Sequence, residues 1–239
     1  VATPAGFDTP ASLTSIASTV STPPIYLSGY QRVGYQLQEP LGVGLSVAPP
    51  APVEVTLSVD DPSIFLISAD AQTVGSGSLV LPGSATIYLQ GLAPGTATLT
   101  IEAPGYATTT AAIEVVPSGF RFGPSVPAAI STSTLAVNWQ LAIEAEVNNP
   151  DIVNPLSRNR ELRPGVTIDV PVTSSDPAVA AVIGSPVAAT GPFVPLQVEV
   201  DPLSEGVATV QIVQPPGFST PAGRTQTVAT VDAPGISFS

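Results

Sequence analysis

The chain has 239 residues, of which 44% are hydrophobic and only 10% charged, and its 18 acidic residues against six cations leave a net charge of −12. All six cations are arginines (Arg32, Arg121, Arg158, Arg160, Arg163, Arg224), so there is no basic surface to neutralise phosphates, which argues against nucleic acid or anionic lipid as a partner. Cys, His, Lys and Met are absent, which removes disulfides, thiolate metal sites, His-based catalysis, Schiff bases and Lys–Asn cross-links.

In chain order, short segments of alternating apolar and polar residues succeed one another between turns rich in Pro and Gly. The alternation predicts strands at 33–37, 42–48, 53–59, 64–68, 78–81, 85–89, 96–102 and 108–116. A second set follows at 137–147, 167–173, 179–183, 194–200, 207–213 and 225–231. Within 53–59, Val55, Leu57 and Val59 point one way, and Glu54, Thr56 and Ser58 the other. One polar face per strand is what a two-sheet sandwich requires. No window predicts a convincing helix, and no apolar run approaches the roughly 20 residues of a membrane-spanning helix.

The chain also repeats itself. Residues 4–28 align without a gap on 215–239 with 12 of 25 positions identical, a period of 211 residues. PPIYLSG (23–29), SGFRFGP (118–124) and PGISFS (234–239) share a turn followed by alternating apolar residues. They read as junctions, at Ile25, Phe120 and Ile236, separated by 95 and 116 residues. Paired landmarks fill both intervals. VGYQL (33–37) matches VNWQL (137–141), making Trp139, the single Trp, the counterpart of Tyr35. VEVTLSVDDPSIFLIS (53–68) matches IDVPVTSSDPAVAAVI (168–183), and GLAPGTATLTIEAPGY (91–106) matches PLSEGVATVQIVQPPGF (202–218).

The expected organisation is therefore a closing hairpin and linker of a preceding, mostly absent module (1–28), module 1 (29–119) and module 2 (120–239). Module 2 carries a long, polar surface loop at 148–165. On this reading, and with no Met in the chain, the 239 residues are a window of a longer array.

Two signatures, each present twice, resemble the bacterial immunoglobulin-like domains found in tandem on invasins, intimins, S-layer proteins and large surface adhesins. One is a strand, an Asp-Pro turn and a second strand (SVDDPSIFLIS, TSSDPAVAAVI). The other is a Gly leading an alternating strand (APGTATLTI, SEGVATVQI). The resemblance covers most of 30–239. It implies an all-β fold of tandem immunoglobulin-like antiparallel sandwiches in an extended rod, serving as an extracellular stalk, spacer or fibre. The 148–165 insertion departs from the family pattern.

Candidate sites carry competing readings. Asp60, Asp61 and Asp176 could contribute oxygens to Ca²⁺ at a module junction, but Asp61-Pro62 and Asp176-Pro177 read more simply as turn initiators, and no calcium-loop motif is present. No other cofactor is expected. Asp201 and Glu205 in DPLSEG form a close carboxylate pair that reads more simply as a solvated turn, so no enzyme is expected. Tyr26, Tyr30, Tyr35, Phe120, Phe122, Phe218 and Phe238 cluster at junctions and turns and read as packing between modules. The Ser/Thr-rich 18–24 and 129–136 admit O-glycans or plain β-propensity. Two functions are carried: a structural, non-catalytic segment of a surface fibre or array whose partners are neighbouring copies of the repeat, and an adhesin region binding glycan or host protein through Arg158, Arg160 and Arg163.

Overall fold

The computed structural model describes residues 5–8, 18–148, 161–192 and 196–234. It is all-β, with no helix among those residues. The first half contains β1 (Ile25–Gly29), β2 (Arg32–Gly34), β3 (Leu37–Leu45), β4 (Val55–Val59), β5 (Phe65–Ser68), β6 (Ser78–Leu81), β7 (Ala85–Gly91), β8 (Gly95–Glu102) and β9 (Thr109–Val116). The second contains β10 (Ser118–Phe122), β11 (Ala129–Ser133), β12 (Trp139–Val147), β13 (Glu161–Leu162), β14 (Thr167–Val170) and β15 (Val172–Ser174). These are followed by β16 (Ala180–Ile183), β17 (Val187–Thr190), β18 (Leu196–Pro202), β19 (Gly206–Ile212) and β20 (Gln226–Asp232).

The first half folds as two sheets, β1-β3-β7-β5 and β2-β9-β8-β4-β6, and the second as β10-β12-β18-β16 and β11-β20-β19-β15 with a separate β14-β17 pair. The strand order is the same in both, except that the sheet ending at β15 has no strand in the place of β6. In each half the second strand runs parallel to the last, β2 with β9 and β11 with β20, while the other pairings within each half are antiparallel. Each pair of sheets encloses one apolar cluster. Leu41, Phe65, Ile87 and Leu89 meet Leu57, Leu99 and Ile113 in the first, and Phe120, Leu141 and Val198 meet Val210 and Ala229 in the second. The local cause is the alternation itself. Val55, Leu57 and Val59 are buried while Thr56 and Ser58 are exposed, so one strand supplies both a core face and a wet face.

Three departures from the sequence reading have physical causes. The break expected between 33–37 and 42–48 is absent, because β3 runs straight through Pro40. Pro40 falls at a seam on the outer edge of β3, where β1 pairs only as far as Leu41 and β13 begins at Gln38. A residue without an N–H is tolerated where no strand needs one. Residues 129–133, read for their hydroxyls, form β11. Residues 161–162, placed in a polar surface loop, form β13, with Leu162 buried in the second core.

The register also moves a counterpart. Leu92 and Leu203 each donate their N–H to the carbonyl three residues after the turn aspartate, that of Ile64 (2.8 Å) and of Val179 (2.9 Å). They are therefore equivalent, and so are Leu89 and Val200 before them. Across the sheet, Leu89 faces Glu39 and Val200 faces Trp139. Trp139 thus corresponds to Glu39 rather than to Tyr35, and Leu37 corresponds to Val137. Tyr35 corresponds instead to Thr134, whose N–H bonds the Asp232 carbonyl as that of Tyr35 bonds Val116.

Candidate functional site at the junction of the halves

The two halves meet at the two-residue turn between β2 and β3. The N–H of Tyr35 donates to the Val116 carbonyl (2.8 Å) and that of Gln36 to the Gly91 carbonyl (3.0 Å). Gln36 is held at φ 58°, a left-handed conformation that few non-glycine residues adopt. Held this way, Gln36 presents both a carbonyl and a side-chain amide to the second half. The Arg163 N–H donates to the carbonyl (3.0 Å), and Arg163 Nε donates to Gln36 Oε1 (2.7 Å).

Around that clasp, the second half adds to the first. Leu162 pairs with Leu37 and Glu161 with Gln38, so β13 extends the outer edge of β3 in line with β1. Gln38 Nε2 also reaches Glu161 Oε2 (3.0 Å). The segment passes beside Gly191, where a Cβ would collide with the Arg163 carbonyl oxygen, so only glycine leaves it room. Leu37, on a strand of the first half, is fully buried in the core of the second. Tyr35 stands edge-on to Phe218, with ring centroids 5.3 Å apart, and Phe218 lies 5.0 Å from Phe120. Such geometries add about 0.5–1.5 kcal/mol beyond the area they bury. Ser118 Oγ closes the ring of contacts by donating to the Tyr35 carbonyl (2.6 Å).

Beside this contact opens a cleft of about 460 Å³, lined by Tyr35, Gln36, Arg163, Ile168, Asp169 and Phe218 among others. Burial lowers the pKa of the Arg163 guanidinium, and Tyr35 partly offsets the shift. An arginine nevertheless stays charged at physiological pH.

The other sequence-derived residues are dispersed. Phe120 and Phe122 are buried in the second core, whereas Tyr26 and Tyr30 are each about half exposed. The Tyr26 ring lies over Gly44 of β3, in the space that a Cβ there would fill. Phe238, Arg158 and Arg160 lie outside the described residues. Of the three arginines proposed to meet a partner, Arg163 is engaged within the chain.

The calcium candidates serve as hydrogen-bond acceptors. Asp61 Oδ1 accepts from the Ser63 N–H (3.0 Å) and hydroxyl (2.6 Å), and Asp176 Oδ1 accepts from the Ala178 N–H (3.0 Å). These are two copies of one aspartate-initiated turn. Asp60 Oδ1 accepts from the Thr98 N–H (2.7 Å), and the bonds from Thr98 hold its carboxyl below the usual aspartate pKa. Among the described residues, no group of three or more His, Cys, Asp or Glu side chains is arranged to hold a metal ion.

A second perturbed carboxylate sits beside Trp139. Asn138 Nδ2 (3.0 Å) and Gln140 Nε2 (2.6 Å) both donate to Glu199, and these bonds hold its carboxyl below the usual glutamate pKa. A depressed carboxylate stabilises the fold above its unfolded pKa, and that contribution disappears as pH falls through the folded value. We expect an NMR titration of Glu199 to give a midpoint below that of an ordinary glutamate, rising toward the ordinary value when Asn138 and Gln140 are both replaced by alanine. An unmoved midpoint would show that the two amides do not set it.

Comparison of the chain with protein-family models and with curated proteins finds no match.

Proposed function

We propose that this chain is a structural, non-catalytic repeat segment of an extracellular bacterial fibre, stalk or surface array, made of immunoglobulin-like sandwiches in tandem. The observation that carries the reading is the junction. A tether that merely links two domains leaves each core complete, but here Leu37 of the first half belongs to the core of the second, and β13 of the second extends a sheet of the first. Relative motion of the halves would have to break strand pairing and expose core residues, a cost that flexible interdomain contacts do not carry. Load transmitted along such a chain meets backbone pairing instead of a free hinge. The acidic surface supports the same reading, because like charge keeps neighbouring filaments apart.

The test is the mass of the native assembly. Surface-sheared material separated under denaturing conditions is expected to run far above the 24.1 kDa of this chain if the modules are covalently continuous. Separate subunits would give 24.1 kDa on denaturation but a much larger particle before it. A native particle of 24.1 kDa, or its absence from the surface fraction, would overturn the proposal.

A further inference from the structure

The two halves share a strand order, so each end of one half has a counterpart in the other. In the first half, the end that carries the β2–β3 turn is covered by the second half, and Leu37 there is 0% exposed. In the second half the equivalent end carries the turn between β11 and β12. Its Leu135 is 80% exposed, and Val137, at the register position of Leu37, is 85% exposed. Leu203, the counterpart of Leu92, is 51% exposed nearby.

This end lies away from the junction. Ser118 and Val147 pair beside the junction, and Trp139 is eight residues from Val147 along β12, roughly 27 Å for an antiparallel strand. Leu135 and Val137 lie just beyond Trp139. A core position occupied inside the chain at one end is therefore bare at the other.

The matching receptor is found at the opposite end of the molecule. Phe218, which receives Tyr35, follows Gly217 (φ +86°) and donates its N–H to the Pro215 carbonyl (3.1 Å). Tyr106 of the first half follows Gly105 (φ +84°) and donates its N–H to the Ala103 carbonyl (3.1 Å). Tyr106 packs on the first core, its hydroxyl donates to the Val47 carbonyl, and the Val47 side chain is 57% exposed. The near end of the first half thus offers the counterpart of the surface that receives Tyr35.

We infer that the far end of the second half, through Leu135 and Val137, docks onto the near end of the first half, at Tyr106 and Val47, in a second copy of this chain. The contact is heterologous, one patch against a different patch, and such contacts propagate into a filament unless the rotation closes a ring. The inference rests on the array reading above and gives it a surface.

The test uses the full chain and two exposed-site variants that leave both cores untouched. Wild type is expected to associate measurably in sedimentation experiments at concentrations up to ~1 mM, the effective concentration of tethered neighbours. L135D/V137D and V47D are each expected to weaken that association at least ~10-fold, because a carboxylate replaces buried apolar surface. V80D, changed at a residue 56% exposed on β6, is expected to associate as wild type does. Mixing L135D/V137D with V47D should restore a dimer and nothing larger, since one intact end remains on each.

Wild type that stays monomeric, L135D/V137D that associates normally, or V47D that dimerises by itself would each overturn the docking face. A native assembly that persists with both aspartates in place would overturn it too, while leaving the fibre reading standing. A native 24.1 kDa particle is the separate result that removes the fibre reading itself.

Discussion

Leu37→Ala is expected to destabilise the second half by about 2–5 kcal/mol, although the residue lies on a strand of the first. Leu37 is 0% exposed and belongs to the apolar cluster built around Phe120, Leu141 and Val198. Truncation leaves a cavity that the surrounding sheets fill only in part, because β3 is fixed by pairing to β1, β7 and β13. The chain carries its own reporter. Trp139 is its one tryptophan and packs against the same cluster. Urea unfolding followed by Trp139 fluorescence should therefore show the loss directly. A truncation in the first core, such as Leu99→Ala, should reach Trp139 only through the junction and so move that transition less. If L37A leaves the Trp139 transition in place, the cores are independent and the rigid junction fails as an explanation of function.

Arg121→Ala should cost about 3–5 kcal/mol, the usual penalty for removing one partner of a buried ion pair. Arg121 Nε sits 2.8 Å from Glu146 Oε2, in a contact too bent for a hydrogen bond, and Nη2 lies 3.5 Å from Glu144 Oε2. The Arg121 and Glu146 side chains are only 9% and 5% exposed. Such a pair adds little net stability over an apolar replacement, but removing one side deprives a buried charge of this ion-pair partner. The double variant R121M/E146L should therefore recover most of what R121A loses. Chemical denaturation of the three proteins decides the matter, and equal losses in R121A and the double variant would count against a charge-based cause. The pair lies where burial is unusual. All five residues of β10 are buried, because residues 214–224 fold along its outer edge. Gln214 exchanges two hydrogen bonds with the Phe120 backbone (2.8 and 2.7 Å). Ser219 donates to the Ser118 carbonyl (2.8 Å), and the Phe122 N–H donates to that of Arg224 (2.7 Å).

Most strands were legible because the signal for a half-buried strand is local. Val55, Leu57 and Val59, or Ala97, Leu99 and Ile101, need only their own alternation to declare a buried face. The aspartate turns were legible for the same reason: Asp61 and Asp176 bond groups two residues away. The match of VGYQL to VNWQL misled because it errs by four residues. A strand shifted by an even number keeps every side chain on its own face, so the pattern cannot distinguish the two alignments. Pairing partners far along the chain, Leu89 with Glu39 and Val200 with Trp139, settle the register.

The sequence by itself determined an all-β chain, its turns, most of its strands and the recurrence of its landmarks, since each of these depends on neighbours within a few residues. Only the tertiary structure decided what joins the halves. Glu161-Leu162 is too short and too polar to read as a strand, and it becomes one because the edge of β3 beyond β1 is open to it. Gln36 carries no mark of its left-handed backbone, which Val116, Gly91 and Arg163 impose from distant parts of the chain. Leu37 is an ordinary core leucine in sequence. Which core it fills is set by the packing of one half against the other, and no local pattern encodes that choice.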